Sequence, residues 1–415
     1  MALGQDGRHA RVHVHNGSHV LARVMPVGDA AGTPAANARA PRTRAARKTG
    51  ATIAVTGASG VIGSALISRL VERIGLDQGK PTGARPTSQN SVAKVIAIDV
   101  RRGDATGVTW RIGDVRDPVL AKRLAGVDAV VHLALDWSLE SGPAERSALN
   151  VRGTQTVVTA AAAAGVSRVV LVTSASVYGA RDDNPIPLSD EAALRAAPEG
   201  IVADLLEIER IAEDSRRVHP GLDVVVVRPA ALVGKGVDTL VTRHFAAPRL
   251  LVIKDAMPTW QFCHVEDLSS ALEMAALGQV SGAVTCGSDG FLEQYRVEEI
   301  SGMKRVELPA SVAMATAERL HRLGLTPAPA SELAYVMFPL VVSSAGLRAA
   351  GWAPVFDNET NLRVIIDEVS GDRAVAGRRL GVRDATVAGA SAAGATVAIL
   401  GAAAFVRAAR RARGR

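Results

Sequence analysis

The sequence predicts an α/β fold: a doubly wound parallel sheet with helices on both faces and a smaller C-terminal lobe. Three observations predict it. Short apolar runs, "ATIAVTG" from Ala51, "KVIAID", "GVDAVVHLAL", "VSRVVLVTSAS" and "GLDVVVVRPAA", recur along the chain. Helical stretches such as "VIGSALISRLVERI", with Ile62, Leu66 and Leu70 on one face, and "GTQTVVTAAAAAG" separate them. The runs hold few polar positions, as strands buried on both faces do, and parallel strands need helical crossovers between them. After about residue 230 the alternation fades, and the C-terminal part reads as a substrate lobe.

Taken in order, residues 1–50 read as a disordered basic extension rich in Ala, Gly, Arg and Pro. Within it, valines alternate around Asn16-Gly17 in the manner of a small hairpin, near His9, His13, His15 and His19. Histidines without cysteine or carboxylate support make a weak metal pattern, and no metal is expected. Residues 51–370 form the folded body. Its dinucleotide core is expected over about 51–230 and 258–286, and its lobe over about 231–257 and 287–370. Residues 371–415 are a basic tail holding 22 uncharged residues, 385–406, of which 10 are Ala. That length could cross a bilayer, but the driving force is marginal. The Arg-rich end that follows also opposes the positive-inside rule for a cytoplasmic body, so a helix lying on a membrane surface is the simpler reading.

Charge is segregated. The net charge is +7, yet residues 1–50 carry +6 and 371–415 carry +7, which leaves the body at −6. An acidic body without a recognition motif argues against nucleic-acid binding. The two cysteines, Cys263 and Cys286, have no metal-ligand spacing, and the N-terminus lacks an apolar leader. A cytoplasmic protein is expected, peripheral to the membrane if the tail docks there, with room for a homodimer.

"TGASGVIG" sets Gly57, Ser59, Gly60, Val61, Ile62 and Gly63 between the first strand and the first helix. Glycines permit a tight turn and close approach of backbone to a pyrophosphate. The helix N-terminus offers free N–H groups and the positive end of its dipole. The spacing is G-x-x-G-x-x-G, and with the segments that follow the chain resembles the extended short-chain dehydrogenase/reductase family, of which UDP-glucose 4-epimerases and sugar-nucleotide dehydratases are members. "AIDV" ends the second strand at Asp99, "GDVRD" supplies Asp114 and Val115, and "VVHLAL" supplies Leu133 and Ala134. "LNVRGT" supplies Asn150, "VTSASVYG" supplies Ser174, and "FCHVEDLSSAL" matches a late family segment. The resemblance covers about residues 51–280 well and 281–370 loosely. It implies a Rossmann-type fold, NAD as cofactor, and a sugar-nucleotide or related hydroxyl/carbonyl substrate.

Three departures qualify that expectation. Gly63 lies 36 residues before Asp99, against ~20 in the usual fingerprint, because a Gly/Pro/Ser-rich loop at 75–91 intervenes. Asp99 would repel a 2′-phosphate and so favours NAD, whereas Arg101 and Arg102 could accommodate one, which leaves NADP open. Most important, the family's Tyr-x-x-x-Lys occurs nowhere. The chain's three tyrosines, Tyr178, Tyr295 and Tyr335, are followed four residues later by Asp182, Glu299 and Pro339. The pair should stand in "IVADLLEIE", where Ile201 and Leu205 occupy its places. There Ile201, Leu205 and Ile208 form an apolar face, with Asp204, Glu207 and Glu209 expected toward solvent.

The candidate catalytic residues are therefore Ser174, the family's active-site hydroxyl, and Tyr178, four residues on. Ala231 replaces an Asn that contacts the nucleotide diphosphate in the sugar-nucleotide enzymes. Two readings follow: an oxidoreductase with a nonstandard proton-transfer group, or a dinucleotide holder that does no chemistry.

Overall fold

In the computed structural model, residues 50–78, 91–138, 141–323 and 328–379 are described. The chain alternates strand and helix through β1 (Ala51–Thr56), α1 (Val61–Gln78), β2 (Val92–Asp99), β3 (Thr109–Ile112), α2 (Leu120–Arg123), β4 (Ala129–His132), α3 (Pro143–Ser147), α4 (Gly153–Ala163), β5 (Arg168–Val172), α5 (Gly200–Val218) and β6 (Asp223–Pro229). Shorter pieces follow: β7 (Ala231–Val233), α6 (Leu240–Ala246), β8 (Leu250–Ile253), β9 (Thr259–Trp260) and β10 (Phe262–His264), then α7 (Val265–Ala276) and β11 (Ala283–Cys286). The remainder holds β12 (Leu292–Glu293), α8 (Gln294–Ser301), β13 (Arg305–Leu308), α9 (Ala310–Arg322), α10 (Ala345–Ala349) and α11 (Asn358–Arg379).

Seven strands make one parallel sheet in the order β11-β6-β5-β4-β1-β2-β3. Alternation of side chains explains why these strands read as unbroken apolar runs. In β6, Val225 and Val227 enter one core cluster and Val224 and Val226 the other. In β5 the same split falls between Val170 and Val172 on one side and Val169 and Leu171 on the other. The first cluster includes Leu66 and Leu70 of α1 with Leu268 and Leu272 of α7; the second includes Val157 and Val158 of α4 with Leu205 and Ile208 of α5. Each fully buried aliphatic contributes about 1.5–3 kcal/mol of transfer free energy, so both faces must stay covered.

The remaining strands pair in twos, β10 with β7, β12 with β9 and β13 with β8. A third core cluster, with Phe245, Leu251, Trp260, Phe262, Leu333 and Leu362, lies among these later elements. Cys263 and Cys286 are free, buried thiols with their sulfurs 3.5 Å apart.

The sheet reverses its winding at β1, which has β2 on one side and β4 on the other. Thr56, the last residue of β1, is in register with Ile98 of β2 and His132 of β4. In open α/β sheets the crevice beyond such a reversal, at the C-terminal ends of the strands, is where ligands bind.

Among the described residues, no helix is long and apolar enough to cross a membrane. The N-terminal extension with its hairpin and histidines, most of the 75–91 loop, and the apolar stretch 385–406 lie outside the described residues.

Candidate functional site

A cavity of about 400 Å³ opens at the β1 reversal. Its lining runs from Gly57, Gly60, Val61, Ile62 and Gly63, past Leu133 and Ser174, to Ile201, Val202 and Leu205 of α5. It then reaches Ala231, Val237, Leu240, Trp260, Glu332 and Tyr335.

The three glycines of the turn serve different purposes. Gly57 has φ +66°, and a β-carbon there would lie 2.4 Å from the Leu133 carbonyl oxygen and 2.6 Å from Ala134 N. A β-carbon on Gly63 would lie 2.2 Å from the Gly57 oxygen. Both are therefore demanded by backbone packing. Gly60 is exposed, and a β-carbon there would meet only the Gly57 oxygen, at 3.3 Å. Its missing side chain leaves the N-terminus of α1 open to the cavity, as a pyrophosphate requires. The donors and the cradle fit a dinucleotide.

Below the turn, His132 is fully buried between Thr56 Oγ1 at 2.7 Å and Thr154 Oγ1 at 3.1 Å. Burial pushes its imidazole down to about 4, so it stays neutral. Asp99 closes β2 and accepts from Ser59 N at 2.9 Å, Ser59 Oγ at 2.7 Å and Val100 N at 2.7 Å. That bonding ties the turn to β2 and leaves the carboxylate lone-pair capacity for a ribose hydroxyl.

The other predicted cofactor residues lie further off. Arg101 is exposed and does not line the cavity. Asp114 accepts from Arg116 N at 2.8 Å and pairs with the Arg116 guanidinium, which holds its carboxyl below the ordinary range. Val115 belongs to the core.

Asn150 does not reach the cavity, contrary to the sequence reading. It is fully buried, accepts from Asp136 N at 2.7 Å, and donates to Asp136 O at 3.1 Å and Asp204 Oδ2 at 3.3 Å. Its side chain is consumed in holding the segment after β4.

Tyr178 is likewise corrected. It has no exposed surface and lines no part of the cavity. Its hydroxyl donates to Asp190 O at 3.1 Å and accepts from Arg228 Nη1 at 2.8 Å. Burial raises its phenol against the opposing pull of Arg228. It is a packing and hydrogen-bonding residue, out of reach of a ligand. Ser174 does line the cavity, its Oγ accepting from Ser176 N at 3.1 Å as the cap of the short helix Ala175–Tyr178.

On α5, Ile201 and Leu205 of the expected apolar face line the cavity together with Val202, while Ile208 packs into the core. Two of the acids expected toward solvent are instead buried. Asp204 pairs with Arg146 Nε at 2.8 Å, and Glu209 holds Arg228 through both oxygens at 2.9 Å while accepting from Thr173 Oγ1 at 2.7 Å. These pairs pin α5 to the sheet and to α3. Glu207 remains partly exposed, paired with Arg210.

Sequence reasoning missed the contribution of Ala330–Val336, a 3₁₀ helix that brings Glu332 and Tyr335 to the cavity. Tyr335 donates to Ser176 O at 3.0 Å. No periodicity or motif around residue 332 announces this. Only the tertiary path of the chain does.

A sequence model of the "NAD dependent epimerase/dehydratase family" matches residues 53–285, more than half of the chain. The chain belongs to that family. The glycine turn, Asp99, Ser174 and the reversal at β1 lie within the matched segment, and Glu332 falls beyond it. Among family-like relatives, an uncharacterised protein of Mycobacterium tuberculosis is 28% identical over 309 residues, covering 73% of this chain and 80% of that one. The dTDP-glucose 4,6-dehydratase of Streptomyces griseus is 28% identical over 237 residues, covering 53% and 67%. The fold is that of DesIV, the dTDP-glucose 4,6-dehydratase of Streptomyces venezuelae solved with NAD bound, at TM-score 0.56 and 21% identity over 78% of this chain and 98% of that one.

Proposed function

We propose that this chain is an NAD-binding oxidoreductase that acts on a hydroxyl or carbonyl group with a nonstandard proton-transfer residue. The observation that carries the reading is Gly60, whose open face at the α1 N-terminus leads into a cavity continuous with Ser174 and the α5 wall. The dinucleotide would lie across β1, with its adenosine end toward Asp99 and its nicotinamide end toward Ser174, Ile201 and Leu205. Sequences 51–230 and 258–286 would act as the cofactor core and the later segments as the substrate lobe. Arg101 stands near enough in sequence to Asp99 to keep NADP as a competitor.

Relatives that handle sugar nucleotides support a sugar-nucleotide or related substrate. The lining sharpens this. Ala231 offers no side-chain donor to a diphosphate, and Val237, Leu240, Val241 and Trp260 add apolar surface to a lining that also holds Asp238, Thr239, Thr259 and Gln261. A hydroxyl or carbonyl compound with a largely apolar body suits such walls better than a UDP-sugar.

A second reading, a dinucleotide holder without turnover, is favoured by Ile201 and Leu205 in the catalytic positions. Calorimetric titration with NAD, NADH, NADP and NADPH, with mass spectrometry of co-purified ligand, tests the cofactor claim. Reduction of bound NAD on presentation of alcohols separates the two readings. Failure to bind any dinucleotide removes both.

A further inference from the structure

Two titratable side chains reach the wall that Ile201 and Leu205 leave apolar. Residues three apart on a 3₁₀ helix lie above one another, and Glu332 and Tyr335 of Ala330–Val336 both line the cavity. Glu332 is only 6% exposed, and its Oε1 is buried with no hydrogen-bond partner among the described residues. A β-carbon built on Gly200 would stand 3.0 Å from that oxygen. The carboxylate therefore sits beside the residue that precedes Ile201, next to where the family's tyrosine belongs.

The surrounding charges are accounted for. Arg146 from α3 and Arg243 from α6 are the cations whose field reaches Glu332. Each is bound to another carboxylate, Arg146 Nε to Asp204 at 2.8 Å and Arg243 Nε to Asp238 at 2.7 Å. Tyr335, on the same turn, spends its proton on Ser176 O. Burial raises its phenol and the Glu332 charge raises it further, so it stays protonated. Burial likewise pushes the Glu332 carboxyl up to about 7, against the weaker pull of the two guanidiniums. A buried carboxylate with an idle oxygen is costly to the fold, and no described residue draws a hydrogen bond from that oxygen in return.

We propose that Glu332 is the proton-transferring residue of this cleft, doing from the C-terminal segment what the absent tyrosine does from α5. The proposal deepens the oxidoreductase reading and rests on it. When a substrate alcohol is oxidised, its C–H bond breaks with the electron pair leaving to the nicotinamide of NAD⁺. Its O–H bond breaks with the proton passing to the Glu332 carboxylate, and a C=O bond forms. Reduction of a carbonyl returns the same proton. A group that titrates near neutrality serves both directions.

The test is infrared difference spectroscopy of the full-length chain, wild type against Glu332→Gln, titrated over about pH 4 to 9 with saturating NAD⁺ and, separately, NADH. Expected is one carboxyl band, missing in the variant, that titrates near neutrality. Its midpoint should be lower with NAD⁺ than with NADH by about half a pH unit or more, because the cationic nicotinamide favours the nearby carboxylate. At about pH 5, where the Glu332 carboxyl is protonated, dinucleotide affinity should stay within about twofold in the variant, since the proton-transfer group is not the pyrophosphate cradle. If the variant does not fold, ¹³C-glutamate labelling of the wild type reads the same band. A midpoint in the ordinary carboxylate range, or one that is identical with both cofactor forms, overturns the proposal while leaving the cofactor reading intact. A wild-type chain that binds neither dinucleotide overturns both.

Discussion

The two ends of the cleft are made of different material. At the β1 end the functional surface is backbone: N–H groups at the start of α1, shaped by Gly57, Gly60 and Gly63. At the α5 end it is side chains, and there Ile201 and Leu205, at the positions where the sequence reading expects an acid/base pair, line the cavity. Gly57 and Gly63 are fixed by contacts with Leu133 and with the turn itself, whatever ligand is present. Nothing comparable fixes the identity of a side chain facing an open cavity. The turn's glycines are thus tied to packing in a way that the side chains of the α5 wall are not. It also concentrates the functional meaning of the glycine motif in Gly60, the one of the three that backbone packing does not demand.

The sharpest way to break this comparison is to substitute within the turn. Gly63→Val drives a side chain into the Gly57 oxygen and should unfold the chain or lower its stability by about 4 kcal/mol or more, read by urea denaturation. Unchanged stability would mean that the turn is not held by packing. On the α5 side, Arg228→Met leaves Glu209 buried with Thr173 as its one hydrogen-bond partner among the described residues and should cost about 3–5 kcal/mol. A loss below about 1 kcal/mol would show that α5 is not pinned by this pair.

The Glu332 carboxyl gives a pH-dependent difference of opposite sign. It ionises at about 7 in the folded chain against an ordinary 4.5. Between those values the folded state holds a proton that the unfolded state lacks, so stability from this group is complete below pH 4.5 and is lost as pH rises through 7. Glu332→Gln should therefore stabilise the chain at pH 8 by up to about 3 kcal/mol and change little at pH 4. A destabilised variant at pH 8 would mean that the carboxylate has a partner. The smallest expected effect is that of Tyr178→Phe. Losing one hydroxyl between Arg228 and Asp190 should cost about 1–2 kcal/mol and leave dinucleotide affinity unchanged. A large loss of affinity would return Tyr178 to the site.

Much of the fold was legible because it rests on local pattern. Strands buried on both faces have no polar positions to hide, so β5 and β6 announce themselves as valine runs. The turn at Gly57–Gly63 declares itself by lying between such a strand and an amphipathic helix. The absence of the tyrosine–lysine pair was legible too, since it needs only a search of three tyrosines. What sequence did not disclose depends on long-range placement. Asn150 and Tyr178 sit in segments that resemble site segments, yet neighbouring elements supply Asp136, Asp204, Asp190 and Arg228 to saturate them. Asp204 and Glu209 look solvent-facing on a helical wheel until Arg146 and Arg228 arrive from other parts of the chain. Glu332 lies about 130 residues from Gly200 in sequence, and only the folded path brings them together.

The central claim, that the β1 end is a working dinucleotide cradle independent of the altered wall, is tested most directly by calorimetric titration of NAD into wild type and Gly60→Val, with thermal melting of both. The account predicts one NAD per wild-type chain, affinity reduced at least about tenfold in Gly60→Val, and melting temperatures that agree closely. Equal affinity in the two chains, or no binding to wild type, would contradict it.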